Sequence, residues 1–159
     1  MRKITLLLIT LPFFGFSQDT LSALFLGNSY TGVNQLYNLV DSVANHNGDD
    51  LIHDRNTPGG YTFEGHSINT TSLNKITAQD WDFVILQEQS QKPSFPPAQV
   101  DAETKPYAVV LNDSIKANNP CTEALFYMTW GRENGDQNNC PNYEPLCTYE
   151  GMQQRLRES

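Results

Sequence analysis

Positive charge is scarce in this chain of 159 residues. Ten Lys and Arg stand against eighteen Asp and Glu, a formal net charge of −8. No basic cluster occurs, so nucleic acid is not an expected partner. Cysteine is scarce as well. The three present show no Cys-x-x-Cys spacing and no nearby histidine, a poor basis for zinc. No Gly-rich phosphate loop of the Walker or dinucleotide kind is found, which disfavours a flavodoxin-like nucleotide binder. After the N-terminal segment no apolar run is long enough to cross a membrane. Histidine occurs three times, as His46, His53 and His66, all in the first half. No metal or organic cofactor is implied, and the oligomeric state is not written in the sequence.

What is present suits one folded domain. Hydrophobic residues make up 38% and aromatics 11%, enough for a packed core. The N-terminus reads differently. Arg2-Lys3 precede an apolar stretch over 4–16, too short to span a bilayer, and Gly15-Phe16-Ser17-Gln18 offers small residues for cleavage. This order predicts a secretory signal over 1–17, cut after Ser17, with the domain over 18–159. The protein is therefore expected to be secreted or periplasmic. Cys140 and Cys147 lie in one polar loop, and in an exported protein a local disulfide between them is expected. Closing so short a loop stabilises by roughly 2–3 kcal/mol on the chain-entropy view. Cys121 is left over, either buried at a strand start or paired with a residue beyond Ser159.

Hydrophobic patterning predicts four strand–helix pairs. Residues 21–26 form a nearly all-apolar strand, as a strand covered on both faces would be. A helix over 32–46 carries Val33, Leu36, Leu39, Val40 and Val43 on one face. Residues 51–56 form a short edge strand, Thr57-Pro58-Gly59-Gly60 a turn, and 63–75 a weak helix with Ile68 and Leu73 as aliphatic anchors. Residues 80–86 read as the strongest strand, ending abruptly in Gln87-Glu88-Gln89-Ser90. A loop with three prolines leads to a helix over 104–117, with Val110, Leu111 and Ile115 facing inward. Residues 123–130 form the fourth strand. A long polar loop follows over 132–146, and Thr148 opens a last helix with Met152 and Leu156 on one face. This order implies an α/β fold: a flavodoxin-like three-layer sandwich with a parallel sheet and right-handed crossovers.

Parallel strands put all their carboxyl ends on one side of the sheet, where open α/β folds bind ligands. Gly27-Asn28-Ser29 follows the first strand, Gly59-Gly60 the second and Gln87-Glu88-Gln89 the third. Acyl transfer needs a nucleophile and donors aimed at a developing oxyanion. Ser29 is the candidate nucleophile. Gly60, with Gly59 as its rival, offers an unobstructed backbone N–H, and Gln89 offers a carboxamide NH2. Each has a plainer reading: Ser29 as a helix N-cap, Gly60 as a tight turn, Gln89 as the start of a polar loop. Glu88 reads as solvated or capping, and Asp80 and Asp82 lie at the opposite edge.

These blocks resemble the SGNH (GDSL-type) hydrolase superfamily of esterases and lipases. There a Gly-Asp-Ser block follows the first strand, a glycine N–H comes from the second block, and an asparagine side chain from the third. A C-terminal Asp-x-x-His supplies the base. In this sequence Asn28 replaces the Asp, Tyr30 the following Leu, and Gln89 the Asn. Leu86-Gln87-Glu88-Gln89-Ser90 is similar to a third-block variant of a secreted bacterial branch. The resemblance covers about 21–130. It implies a serine esterase forming an acyl-enzyme at Ser29, with an O-acyl or O-acetyl ester of a carbohydrate as substrate. No Asp-x-x-His lies near the C-terminus, and the pattern ends in mid-helix. The expectation is a domain incomplete at the C-terminus, inactive without its base. His46 reads as surface and His53 as structural. His66 can approach the pocket but reads as a structural hydrogen-bonder. The rival reading is a non-catalytic carbohydrate-binding relative, with Trp130, Tyr143 and Tyr149 stacking on sugars.

Overall fold

A computed structural model describes residues 20–159. The expected signal over 1–17 and its cleavage after Ser17 lie outside the described residues. The elements are β1 (Thr20–Leu26), α1 (Ser29–Gly32), α2 (Leu36–Asn47), β2 (Asp50–Asn56), α3 (Phe63–Ile68), α4 (Thr70–Ile76), β3 (Phe83–Leu86), α5 (Pro97–Glu103), α6 (Lys105–Asn118), β4 (Glu123–Phe126) and α7 (Tyr149–Glu158). All pairings are parallel, in the order β2-β1-β3-β4.

Alternation along the strands builds two cores, one per sheet face. Leu24, Leu26, Val84 and Leu86 pack with Phe63, Ile76, Trp81, Leu111 and Ile115. Ala23 and Phe25 point the other way, onto Tyr37 of α2. The sheet thus has helices on both faces, the expected three layers. β1 is central and apolar at every position from Ala23 to Leu26, because both of its faces are covered.

The helices differ from the sequence pattern in instructive ways. The first is broken: α1 ends at Gly32, Gln35 takes a left-handed φ of 52°, and α2 restarts at Leu36. The restart turns Tyr37 toward the sheet. Val33, Leu39 and Val43 consequently face outward, Val33 at 74% exposure, whereas Leu36 and Val40 line the apolar cavity against Ala23 and Phe25. The weak helix is two helices, because Asn69 ends α3 and its side chain caps α4 by accepting the Ser72 N–H. Its anchors are Phe63, Ile76 and, as expected, Leu73, which packs partly buried against them; Ile68 is exposed. In α6, Leu111 and Ile115 are buried but Val110 is not. The proline loop ends in an unanticipated helix, α5, with Pro97 at its first position, where a missing N–H costs nothing.

β4 stops at Phe126, four residues before the expected end. It is the outer strand, and Leu125 and Phe126 are 44% and 59% exposed. Apolar cavities of about 360 and 490 Å³ flank it, one on each sheet face. α7 begins as expected: the Thr148 hydroxyl accepts the Gly151 N–H, and Met152 and Leu156 are buried. Cys140 and Cys147 form the expected disulfide, whereas Cys121 is free and exposed rather than buried. Among the described residues no helix is long and apolar enough to cross a membrane.

Candidate active site

The site begins where β1 runs out. Gly27 continues the sheet by donating its N–H to Asn56 O at 3.2 Å, and Gln87 N–H donates to Leu26 O at 2.8 Å. A side chain at position 27 has no room: a Cβ there would lie 2.6 Å from Thr31 Oγ1 and 2.8 Å from Gln87 Oε1. The chain therefore turns sharply after β1 and enters α1 at Ser29.

Asn28, not Ser29, caps α1. Its Oδ1 accepts the Tyr30 N–H at 3.1 Å. The same side chain donates Nδ2–H to Tyr61 O at 2.8 Å, and its backbone N–H donates to Gln87 Oε1 at 3.0 Å. One buried residue thereby ties together the turn bearing Ser29, the glycine turn at 58–61, and the segment after β3. Ser29 is released from capping. Neither its hydroxyl nor its N–H has a hydrogen-bond partner among the described residues, and it is partly exposed.

Gly60 sits in an exposed turn closed by Tyr61 N–H to Pro58 O. Its φ of 72° is the left-handed conformation glycine accepts without strain, and a Cβ there would meet nothing within 4 Å. Gln89 is partly buried. Its Oε1 accepts the Gln91 N–H at 2.9 Å, and its NH2 has no partner among the described residues. All three candidates thus lie at the carboxyl ends of β1, β2 and β3, each with a donor or hydroxyl uncommitted. Gly59 remains beside Gly60 in the same turn.

Three residues hold this edge: Gln87, which the sequence reading passed over, Glu88, which it gave as solvated or capping, and His66, which it gave as a structural hydrogen-bonder. Gln87 is fully buried, and its Oε1 accepts from both the Asn28 N–H and the Thr31 hydroxyl (2.9 Å). The signal for it was a lone carboxamide directly after four apolar strand residues. Glu88 is buried rather than solvated. It caps, as expected, but across the fold: Oε2 accepts the Phe63 N–H at 3.1 Å and Oε1 the Gln89 N–H. Burial pushes its carboxyl above the usual range, only partly offset by these two bonds.

His66 is the third, and it is not a base. At 0% exposure its Nε2 contacts Gly27 O at 2.9 Å and its Nδ1 contacts Ser72 Oγ at 2.7 Å. Because a carbonyl only accepts, Nε2 carries the proton and the Ser72 hydroxyl donates to Nδ1. Asn56 Nδ2 donates onward to Ser72 Oγ at 2.9 Å. Both ring nitrogens are spent, Nε2 on the carbonyl of Gly27 and Nδ1 on the hydroxyl of Ser72. Burial pulls the His66 pKa below 6.5, partly opposed by the Gly27 bond. Stability from neutral His66 is thus complete above pH 6.5 and is lost as pH falls through that value toward the folded pKa. The thermal midpoint should decline as pH falls from 7 toward 5. His66→Gln should flatten that part of the profile; an unchanged slope would assign it elsewhere.

The other histidines do not approach Ser29. His46 is on the last turn of α2, at the opposite edge. His53 is in mid-β2, ring against Phe25 and Tyr37. Asp50 and His53 have the Asp-x-x-His spacing, but within β2 they are strand residues, not a loop that returns to the serine. Asp82 is structural, accepting from the Ser22 N–H and hydroxyl. Trp130 stands at the site edge, 49% exposed, with its ring 4.9 Å from that of Tyr30. Neither apolar cavity is lined by Ser29, Gly60 or Gln89. No cluster of three His, Cys, Asp or Glu suited to a metal occurs among the described residues.

No family model matches the chain, and no curated protein matches it in sequence. Solved structures do. A DUF4886 family protein from Bacteroides uniformis superposes with a TM-score of 0.69 at 18% identity, over 88% of this chain and 61% of its own. The psychrotrophic esterase EstA from Pseudoalteromonas sp., solved inhibited by monoethylphosphonate, gives 0.53 at 14%, over 86% and 72%. The lipase Lip_vut3 from a goat rumen metagenome gives 0.54 at 9%, over 87% and 75%. The chain therefore spans about 61% of the length of the Bacteroides protein. At these identities the likeness is one of fold: a parallel α/β sandwich shared with a DUF4886 protein, an esterase and a lipase.

Proposed function

We propose that this chain carries the nucleophile and oxyanion donors of a secreted serine hydrolase acting on esters, with an O-acyl or O-acetyl group on a carbohydrate as the substrate. The observation that carries the reading is Asn28. By taking over the cap and binding the two neighbouring segments, it leaves the Ser29 hydroxyl uncommitted at the same sheet edge as Gly60 and Gln89. In this reading Ser29 attacks the ester carbonyl. The negative oxygen that forms is met by the N–H groups of Ser29 and Gly60 and by the NH2 of Gln89. The alcohol leaves, and water then releases the acid from the acyl-serine.

The attack needs a base, and His66 is committed to Gly27 and Ser72. We place the base outside these 159 residues. Support comes from the bare β4 edge with its two flanking cavities and from the unmatched 39% of the Bacteroides protein. Reading the coding sequence past Ser159 tests this. A downstream Asp-x-x-His supports the reading, and a stop codon directly after Ser159 removes the catalytic claim. The polypeptide expressed to its stop codon should then release acetate from an O-acetylated oligosaccharide. The half-exposed Trp130 beside Tyr30 favours one rival, a non-catalytic glycan binder. Oligosaccharide binding without acetate release identifies it.

A further inference from the structure

Gln89 can serve an oxyanion only if its amide faces the right way. The terminal torsion of a glutamine is broad and roughly two-fold. A half-turn replaces the NH2 donor with a carbonyl oxygen that would repel the developing charge. Something must fix the orientation, and in this structure it is a bond to the amide oxygen: Gln91 N–H donates to Gln89 Oε1 at 2.9 Å.

Residue 91 is in turn held from across the fold. Arg132 Nη2 donates to Gln91 Oε1, and Arg132 Nη1 lies 3.3 Å from Asp136 Oδ1. Asp136 is almost fully buried, and the loop around it is closed tightly. Its N–H donates to Leu146 O at 2.7 Å, its carbonyl accepts the Cys140 N–H at 2.8 Å, and its Oδ2 accepts Asn139 Nδ2 at 2.7 Å. The Cys140–Cys147 disulfide spans the same loop, and Gly131 N–H is pinned to Gln153 Oε1 at 3.1 Å. The guanidinium is a planar fork, able to meet a carboxylate with one arm and an amide oxygen with the other. We propose that Arg132 is a positioning residue for Gln89, acting through Gln91 and anchored by Asp136. The long polar loop after β4 then has a task at the site: it sets which face of the Gln89 amide meets the substrate.

The proposal rests on the reading of Gln89 as an oxyanion donor, and a double-mutant cycle separates the two. In the polypeptide expressed to its stop codon, Arg132→Ala should lower kcat roughly 10- to 100-fold with KM little changed, the scale of a misplaced reacting group. In the Gln89→Ala background the same change should have no further effect. Losses that simply multiply, or a full kcat in Arg132→Ala when Gln89→Ala is impaired, would overturn the positioning role and leave the donor role standing. A full kcat in Gln89→Ala would overturn the donor role itself. One readout needs no turnover. In the same full polypeptide the Gln91 amide should be protected from hydrogen exchange and should lose that protection in Arg132→Ala, with the β1 and β3 amides unchanged. Gln91 protection equal in both proteins contradicts the proposal, whatever the activity.

Discussion

Gln89→Ala is expected to lower kcat by 10²- to 10³-fold, about 3–4 kcal/mol of transition-state stabilisation, with KM much less affected. The expectation follows from timing. The ester carbonyl of a bound substrate carries little charge, and the full negative charge exists only after Ser29 has attacked. A donor held in place beforehand is therefore worth more to the transition state than to the substrate. The Gln89 NH2 meets that requirement, since the amide oxygen is tied to Gln91 N–H and the donor end is left free. The fold should not suffer, because Gln89 is only partly buried and its NH2 bonds nothing among the described residues. Steady-state kinetics together with a thermal melt checks both halves. An unimpaired kcat would remove Gln89 from the oxyanion site, and a large fall in melting temperature would mean that its role is structural.

Asn28→Asp is expected to be more damaging than Asn28→Ala, although Asp differs from Asn by one atom. The present side chain uses both ends: Oδ1 accepts from the Tyr30 N–H, and Nδ2 donates to Tyr61 O at 2.8 Å. Alanine loses the cap and one buried bond, about 1–2 kcal/mol. A carboxylate keeps the cap but places a charged oxygen against a carbonyl oxygen in a site only 2% exposed. A buried charge facing an acceptor costs roughly 3–5 kcal/mol. The pH dependence gives the sign. Burial and the facing carbonyl raise the pKa of the new carboxyl in the folded state. Its penalty is therefore small in acid, where the protonated group can donate to Tyr61 O, and grows as pH rises through the folded pKa. Urea denaturation of the three proteins at pH 5 and pH 8 measures this. Asp being no worse than Ala at pH 8 would mean that the Tyr61 contact does not hold the turn.

Much of this edge is legible from sequence because strand ends are. Apolar runs that stop at Gly27 and at Gln87 mark where β1 and β3 leave the core, and a parallel sheet puts those ends on one side. The helices are less legible. The stripe from Val33 to Val43 has good periodicity, yet after the break at Gln35 only Leu36 and Val40 of it face the sheet while Val33, Leu39 and Val43 turn outward, and nothing local distinguishes a left-handed glutamine from a helical one. The polar residues that matter most were hidden for a related reason. Asn28 read as a departure from a motif, Glu88 as solvated or capping and His66 as a structural hydrogen-bonder, in each case without its partners. Their roles depend on partners such as Tyr61, Phe63 and Gly27, which lie 33, 25 and 39 positions away in sequence. Pairings at such distances come from the topology, not from local pattern.

The central claim is that Ser29 is a nucleophile, and covalent labelling tests it most directly. The polypeptide expressed to its stop codon would be treated with a serine-directed phosphonate, and the adduct mapped by mass spectrometry. The account predicts one adduct per chain, on Ser29, absent in Ser29→Ala and slowed in Gln89→Ala. No adduct, or one that persists in Ser29→Ala, would contradict it.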